Sequence, residues 1–424
     1  MKILWLINVP LPEASILMGE APSPFGGWLI ESSKILSESS DICLSIAFPI
    51  KNKNGKRKLE GDKINYFPFI LTKDNKKKTI KDNSELDAII EQVEPDIVHI
   101  YGTELPHSIA MVNTCKRKAV KVVISIQGLV SIYAKHILAG LPFNIIYGVT
   151  LRNLVARDSV WSIKRTLERR GKNEIDAIRN VNHVIGRTTW DKACTLQINP
   201  DAKYHFCNET LRSEFYTHQW HIEGCDKNTI FLSQGQYPIK GLHYVIEAMK
   251  LIIKRFPEAK LYVGGKDISK KKTIKNKLLM TYYGKYINKN IRKLGMEDNI
   301  IFTGPLDERR MCERYLASNV FVCPSTIENS PNSLGEAMIL GVPCIASDVG
   351  GISDMLKNKE EGFVYPADAP YMLAYYICEI FENKGLALRF SRLARERALK
   401  THDKKLNLIR LLEIYNEIIN GQRG

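Results

Sequence analysis

Short apolar runs bounded by Gly, Pro, Asn or Asp alternate with amphipathic stretches along almost the whole chain. This alternation leaves few folds open. Each run makes a buried strand and each intervening stretch a crossover helix, so the sheets are parallel and the class is α/β. In the first half, strands are expected at Ile3–Val9, Cys43–Phe48, Ile97–Ile100, Val120–Ile126 and His183–Gly186. In the second half they are expected at Thr229–Ser233, Lys260–Val263, Ile300–Thr303, Val320–Cys323 and Cys344–Ser347. Helices are expected over Trp28–Ser37, Leu86–Val93, Leu242–Arg255, Asp307–Ala317 and Leu334–Leu340. A last helix, Leu406–Ile419, carries Leu408, Leu411, Leu412, Tyr415, Ile418 and Ile419 at helical spacing. Three stretches break the rhythm. Lys51–Lys81, with eleven basic residues, reads as a solvated hairpin or loop; Asn144–Arg170 reads as a basic helical stretch; Phe206–Asp226 reads as a connector.

At 424 residues the chain is long enough for two cores. The expected division is a first domain over 1–208, a linker over 209–226, a second domain over 227–400 and a helical tail over 401–424. Two α/β sheets facing one another would leave a central cleft, where small-molecule sites gather. In open parallel sheets ligands lie beyond the carboxyl ends of the strands, so the residues after each strand are the candidates.

Charge narrows the partners. Sixty-one Lys and Arg against 46 Asp and Glu leave a net charge of +15, which suits phosphorylated molecules or an anionic surface. Nine scattered cysteines, with no CxxC pair, point to a reduced cytosolic chain rather than to disulfides or a zinc ribbon. The apolar run after Met1-Lys2 is too short for a signal peptide and fits a first strand. No uncharged stretch is long enough to span a bilayer. Asp-x-Asp, HExxH and a Gly-x-Gly-x-x-Gly after the first strand are all missing, so neither a metal site nor a dinucleotide cofactor is indicated.

The richest segment follows the strand ending at Cys323. It runs Pro324-Ser325-Thr326-Ile327-Glu328-Asn329-Ser330-Pro331-Asn332-Ser333-Leu334-Gly335-Glu336-Ala337-Met338. Asn332 or Ser333 can cap the following helix, and the amides of Asn332, Ser333, Leu334 and Gly335 would then be free to meet a phosphate. Glu328 and Glu336 can reach ribose and sugar hydroxyls on either side of it. Glu336 is equally placed for an ordinary acid that complements the helix dipole.

These residues resemble the retaining glycosyltransferases of family 4, which have the GT-B fold. Glu328 and Glu336 sit within PST-x-E…LGEAM…GVPCIASDVGG, followed by Glu361-Gly362-Phe363-Val364 and Pro366-Ala367-Asp368. Gly235…Lys240-Gly241-Leu242, Phe302-Thr303-Gly304-Pro305, Pro95-Asp96-Ile97-Val98-His99 and Gly26-Gly27 agree with the same family. The resemblance implies two Rossmann-like domains, an acceptor-side first and a nucleotide-sugar-binding second, with a C-terminal helix able to cross back. It implies Glu328 against the transferred sugar and Lys240 on the leaving diphosphate. Glu336 would hold the ribose, and Asn332–Gly335, Gln236 and Gly304 would help to seat the donor. Gly26, Gly27, Gln127 and Gly128 would line the acceptor cleft, and the sheet reading itself places Glu104 and His107, after the strand Ile97–Ile100, facing the same cleft.

Two positions depart from the family. Gln236 stands where an Arg is frequent, and Gln127 where many members have His; Gln can hydrogen-bond but cannot titrate. Arg187 is a candidate second cation on the donor, or equally a structural arginine. The resemblance implies a metal-independent, retaining transferase that needs no cofactor beyond the nucleotide sugar. The acceptor would be a saccharide or lipid-linked, in cell-surface or capsular polysaccharide biosynthesis. The alternatives are a GT-B nucleotide-sugar epimerase and a non-catalytic saccharide- or nucleic-acid-binding protein. For nucleic acid the Lys51–Lys81 segment offers only Tyr66, Phe67 and Phe69 as stacking platforms, so no such partner is expected.

One further expectation concerns the membrane. From Asn144 to Lys172, Arg152, Arg157, Lys164, Arg165, Arg169, Arg170 and Lys172 face only Asp158 and Glu168, with apolar residues between. That pattern suits peripheral contact with an anionic bilayer at the inner face of the plasma membrane, or a helix with a solvated basic face.

Overall fold

The computed structural model describes residues 1–22, 27–51, 58–70, 84–150, 153, 158–268 and 280–421. The chain divides into two units. The first gathers 1–131, 169–212 and 402–424; the second gathers 132–168 and 213–401. The division is therefore not linear, and the stretch expected as a linker is shared between the units. Its first residues, 209–212, go with the first unit and the rest with the second.

The first unit is built on eight strands: β1 Lys2–Leu6, β2 Cys43–Ile50, β3 Leu59–Glu60, β4 Asn65–Ile70, β5 Ile97–Tyr101, β6 Lys121–Ser125, β7 His183–Gly186 and β8 Lys203–Phe206. Their order is β3-β4-β2-β1-β5-β6-β7-β8, parallel except for the β3–β4 pair. Ile3, Trp5, Ile46, Phe48 and Tyr66 fill the core of this unit. The last helix, Lys404–Asn420, closes it with Leu411, Ile414, Tyr415 and Ile418. A polar chain runs through that core. Trp5 Nε1 donates to Tyr415 Oη at 3.0 Å, Tyr415 Oη meets His99 Nδ1 at 2.6 Å, and His99 Nε2 meets Ser125 Oγ at 2.6 Å. A neutral imidazole satisfies both contacts of His99, and burial holds its pKa down to about 3.

The second unit has six strands: β9 Thr229–Leu232, β10 Lys260–Gly264, β11 Ile300–Gly304, β12 Val320–Cys323, β13 Cys344–Ser347 and β14 Gly362–Tyr365. They are all parallel, in the order β11-β10-β9-β12-β13-β14. β9, β12 and β13 are buried at every position, as their continuous apolar runs require.

Three expectations need correction. Lys51–Lys81 does hold a hairpin, the antiparallel β3–β4 pair, but it is not solvated, since Tyr66, Phe67 and Phe69 are buried. The flanking lysines had hidden a short apolar run; residues 52–57 and 71–83 of that segment lie outside those described. Asn144–Arg170 is not one helix. A short helix, Phe143–Tyr147, ends where Gly148 turns extended, and a separate helix runs Val160–Arg179. Arg152 and Arg157 lie outside the described residues. In the Phe206–Asp226 connector, Trp220 is buried and its Nε1 donates to Ser318 O at 2.8 Å, which pins the part after Arg212 to the second unit.

Candidate functional site

The strand order of the second unit sets where a ligand can enter. From β9 the chain steps outward through β10 and β11, then returns to the other side of β9 with β12, β13 and β14. Loops leaving β9 and β12 diverge at that reversal and leave a crevice beyond their carboxyl ends. Lys240 lies on the first loop, in the turn Pro238–Lys240, and Glu328 lies on the second.

The two loops are fixed to each other. Thr326 N donates to Ile239 O at 2.9 Å. Gly241 has φ +73°, and a Cβ there would sit 1.8 Å from Pro324 O, so only glycine allows the backbones this close. Lys240 Nζ pairs with Glu328 Oε1, which also accepts from Ser325 Oγ at 2.8 Å. Among the described residues Oε2 of Glu328 accepts no bond. Burial works against the Lys240 charge, but the Glu328 carboxylate and its hydrogen bond outweigh it, and the net pKa moves up. The loop after β13 completes the floor. Gly351 N donates to Glu328 O at 3.1 Å, and Ser347 Oγ donates to Ser325 O at 2.6 Å. Gly350, at φ +55°, has no room for a Cβ, which would lie 1.8 Å from Glu328 O.

The helix after this loop runs Asn332–Leu340. Its N-cap is Pro331, with no side-chain cap, rather than Asn332 or Ser333. Of the four amides expected to be free, those of Leu334 and Gly335 already donate to Pro331 O, at 3.0 and 3.3 Å. The amide cradle is thus narrower than the sequence suggested. Glu336 is 6% exposed, with Tyr315 Oη 3.5 Å from its Oε2; Tyr315 Oη also donates to Ser333 O at 2.9 Å. At the ends of β10 and β11, Gly265 N donates to Gly304 O at 3.1 Å, and Gln236 Oε1 lies 3.6 Å from where a Gly265 Cβ would stand. A pocket of about 270 Å³ opens beside Gln236, lined also by Tyr237, Lys266, Tyr282 and Tyr283.

The remaining candidates belong to the first unit. Arg187 follows β7 and Gln127 follows β6, and both meet Glu209. Arg187 Nη1 and Gln127 Nε2 donate to its two carboxylate oxygens at 2.7 Å each. Arg187 is 7% exposed and its charge is matched, so in this state it is not an open phosphate ligand. Arg187 and Glu209 border a small pocket with Trp28, Tyr101 and Lys404. Gly27 opens the helix Gly27–Ser37 with its Cβ position 2.7 Å from Arg212 Cδ, and Gly26 lies outside the described residues. Gly128 is half-buried just before the helix Val130–His136, whose first amides donate to buried Glu174.

At the strand reversal of the first sheet, between β1 and β5, Asn8 Oδ1 meets His107 Nε2 at 2.8 Å. His107 does not face open space. It is 3% exposed, packs its ring 5.6 Å from Phe69, and burial with nearby Arg170 holds its pKa down to about 4. Glu104 is half-buried on the same loop. Three contributors had escaped the sequence reading: Ser325, Glu209 and Asn8. Ser325 stands inside the quoted motif and could have been found there; Glu209 and Asn8 carry no local pattern. Among the described residues, no three His, Cys, Asp or Glu gather as a metal site.

Comparison with known proteins places the second unit in context. Residues 219–397 match the family model described as "Glycosyl transferases group 1". The chain is 27% identical over 163 residues to mannosylfructose-phosphate synthase of Agrobacterium fabrum, covering 38% of this chain and 34% of that protein. It spans between 34% and 61% of the length of the curated relatives it matches first. Among solved structures, sucrose-phosphate synthase from Thermosynechococcus elongatus superposes with TM-score 0.71 at 16% identity, covering 99% of this chain and 100% of that one. Anabaena Alr3699/HepE in complex with UDP-glucose gives TM-score 0.67 at 14% identity, covering 98% and 100%. At such identities the likeness establishes the fold, two Rossmann-like parallel-sheet units of the GT-B type.

Proposed function

We propose that this protein is a retaining, metal-independent glycosyltransferase of family 4. It moves a sugar from a nucleoside diphosphate donor to a hydroxyl of a saccharide or lipid-linked acceptor, in cell-surface or capsular polysaccharide biosynthesis at the cytoplasmic face of the membrane. The observation that carries this reading is the Lys240–Glu328–Ser325 cluster at the strand reversal, with Glu336 on the helix that follows and all of it inside the 219–397 match. A uridine nucleotide is the first donor to try, because a structural neighbour was solved with UDP-glucose.

In this account Lys240 shares its ammonium between Glu328 and the diphosphate, where negative charge grows as the glycosidic bond breaks. Glu328 Oε2 faces the transferred sugar and Glu336 holds the ribose hydroxyls. The donor phosphate then takes the proton of the acceptor hydroxyl on the face the leaving group occupies, which keeps the anomeric configuration. A panel of nucleotide sugars tests the reading. One donor should raise the melting temperature and, with an acceptor, give free nucleoside diphosphate and a product of the same anomeric configuration by NMR. Conversion of the donor alone into an epimeric nucleotide sugar would make the chain an epimerase instead.

A further inference from the structure

The helix Val160–Arg179 carries a carboxylate that no step of the proposed transfer uses. Glu174 is fully buried, and four donors converge on it. Its Oε2 accepts from Val130 N at 2.8 Å and from Thr103 Oγ1 at 3.2 Å; its Oε1 accepts from Ser131 N at 3.0 Å and from Ser131 Oγ. Each carboxylate oxygen thus meets one backbone N–H, and neither of those donors can turn away. A glutamine would set its own amide NH2 against one of them, so the position calls for an acid. Burial, with the Glu104 charge adding to it, pushes the Glu174 carboxyl up to about 7 against the pull of the Ser131 and Val130 donors. Neighbouring residues add two more contacts. Gly171 lets the helix press on the same loop, since a Cβ there would stand 2.7 Å from Ser131 Cα. Asn173 Nδ2 donates to Glu104 O at 3.3 Å.

Thr103 lies beyond β5 and Val130 beyond β6, strands that pair side by side from Ile97↔Lys121 to Tyr101↔Ser125. Glu174 therefore ties together two loops that leave adjacent strands at their carboxyl ends, where ligands of open parallel sheets lie. Glu104 is next to Thr103, and Gln127 and Gly128 lead into Val130. Burying an acid costs free energy unless its hydrogen bonds are made, and here all four go to these two loops. We propose that Glu174 is a positioning residue for the acceptor: by clasping both loops it sets where Glu104, Gln127 and Gly128 stand as the acceptor hydroxyl approaches the donor. The inference rests on the glycosyltransferase reading for the reaction, and adds to it a residue that touches neither substrate.

Kinetics at about pH 8, where the carboxylate is ionised, test it on the full chain. UDP-glucose and octyl glucoside are the first donor and acceptor to use, followed by whichever pair from a nucleotide-sugar panel turns over. Glu174→Ala should raise the acceptor KM by about tenfold or more, since a misplacement of about 1 Å can cost about a hundredfold. The thermal stabilisation given by the donor should stay at the wild-type value. Glu174→Gln, which keeps one side of the clasp, should fall in between. Gly171→Ala should act in the same direction with Glu174 intact, although alanine favours an open helix, and it decides the matter should Glu174→Ala fail to fold. Hydrogen exchange over residues 102–108 and 126–132 should quicken in the Glu174 variants. An acceptor KM within about twofold of wild type in every folded variant would overturn the proposal. So would a loss of kcat and donor stabilisation with that KM unchanged, the mark of a purely structural acid. A wild type that turns over no nucleotide sugar would sink the glycosyltransferase reading instead. Faster exchange confined to the two loops would then uphold the clasp, and unchanged exchange would overturn it.

Discussion

Lys240→Met isolates the pair at the heart of the second unit. The substitution keeps the length of the side chain and removes its charge, leaving the Glu328 carboxylate with Ser325 as its remaining side-chain donor. An exposed ion pair contributes roughly 0–1 kcal/mol, and breaking a buried one costs roughly 3–5 kcal/mol. The side chains here are 28% and 8% exposed, so the pair lies toward the buried end without reaching it. We expect a loss of about 2–3 kcal/mol, which in a unit of this size lowers its melting temperature by roughly 5–10 °C. Adding Glu328→Gln removes the orphaned charge and retains an acceptor for Ser325 Oγ, so the double variant should recover at least half of that loss. Calorimetry of the wild type, both single variants and the double variant closes the cycle. A Lys240→Met protein melting within about 1 °C of wild type would refute the argument, because the charge would then be solvated rather than paired. A double variant no more stable than Lys240→Met would refute it equally.

Gly241→Ala should be worse than a surface glycine substitution. It combines a left-handed residue with a contact against Pro324 O, and we expect a loss of about 3 kcal/mol together with weakened donor binding, measured by chemical denaturation and calorimetry. The pH dependence follows from the buried imidazoles. Burial holds His99 down to about 3 and His107, His243 and His402 to about 4, while the unfolded chain protonates them near 6.5. Their contribution is full above about pH 6.5 and is lost as pH falls through the folded values, at about 1.4 kcal/mol per pH unit for each group. The melting temperature should therefore drop between about pH 7 and 5; a flat profile would contradict it. Transfer should persist in excess EDTA, and loss of activity restored by added Mg²⁺ or Mn²⁺ would contradict that expectation.

Much of the fold was legible because buried parallel strands write themselves as unbroken apolar runs. His183–Gly186, Val320–Cys323 and Cys344–Ser347 form at the expected residues. Of the strands that escaped, β14 carries that signature as Gly-Phe-Val-Tyr, while two others lack it. β8 reads Lys-Tyr-His-Phe, half polar, and β4 is embedded among lysines with a proline inside. The nonlinear division into units also has no local signal, since it depends on where 132–168 and the last helix pack. At the candidate site the motif residues come together as Lys240, Ser325 and Glu328. The bond between Lys240 and Glu328 joins positions 88 apart that only the strand order brings side by side. Arg187 shows the reverse. An arginine after a strand could serve a ligand or a structural partner, and its partner Glu209 stood in a stretch without periodicity.

The central claim is that the carboxyl ends of the second sheet seat a nucleoside diphosphate sugar, with Glu336 on its ribose. Isothermal titration of the stabilising nucleotide into the wild type, Glu336→Gln and Glu336→Ala tests it most directly, with circular dichroism to show that each variant is folded. A hydrogen bond to a charged acceptor contributes roughly 1.5–3 kcal/mol, so Glu336→Ala should weaken affinity by about tenfold to a hundredfold, with Glu336→Gln in between. Folded variants that bind the nucleotide as tightly as the wild type would contradict the account.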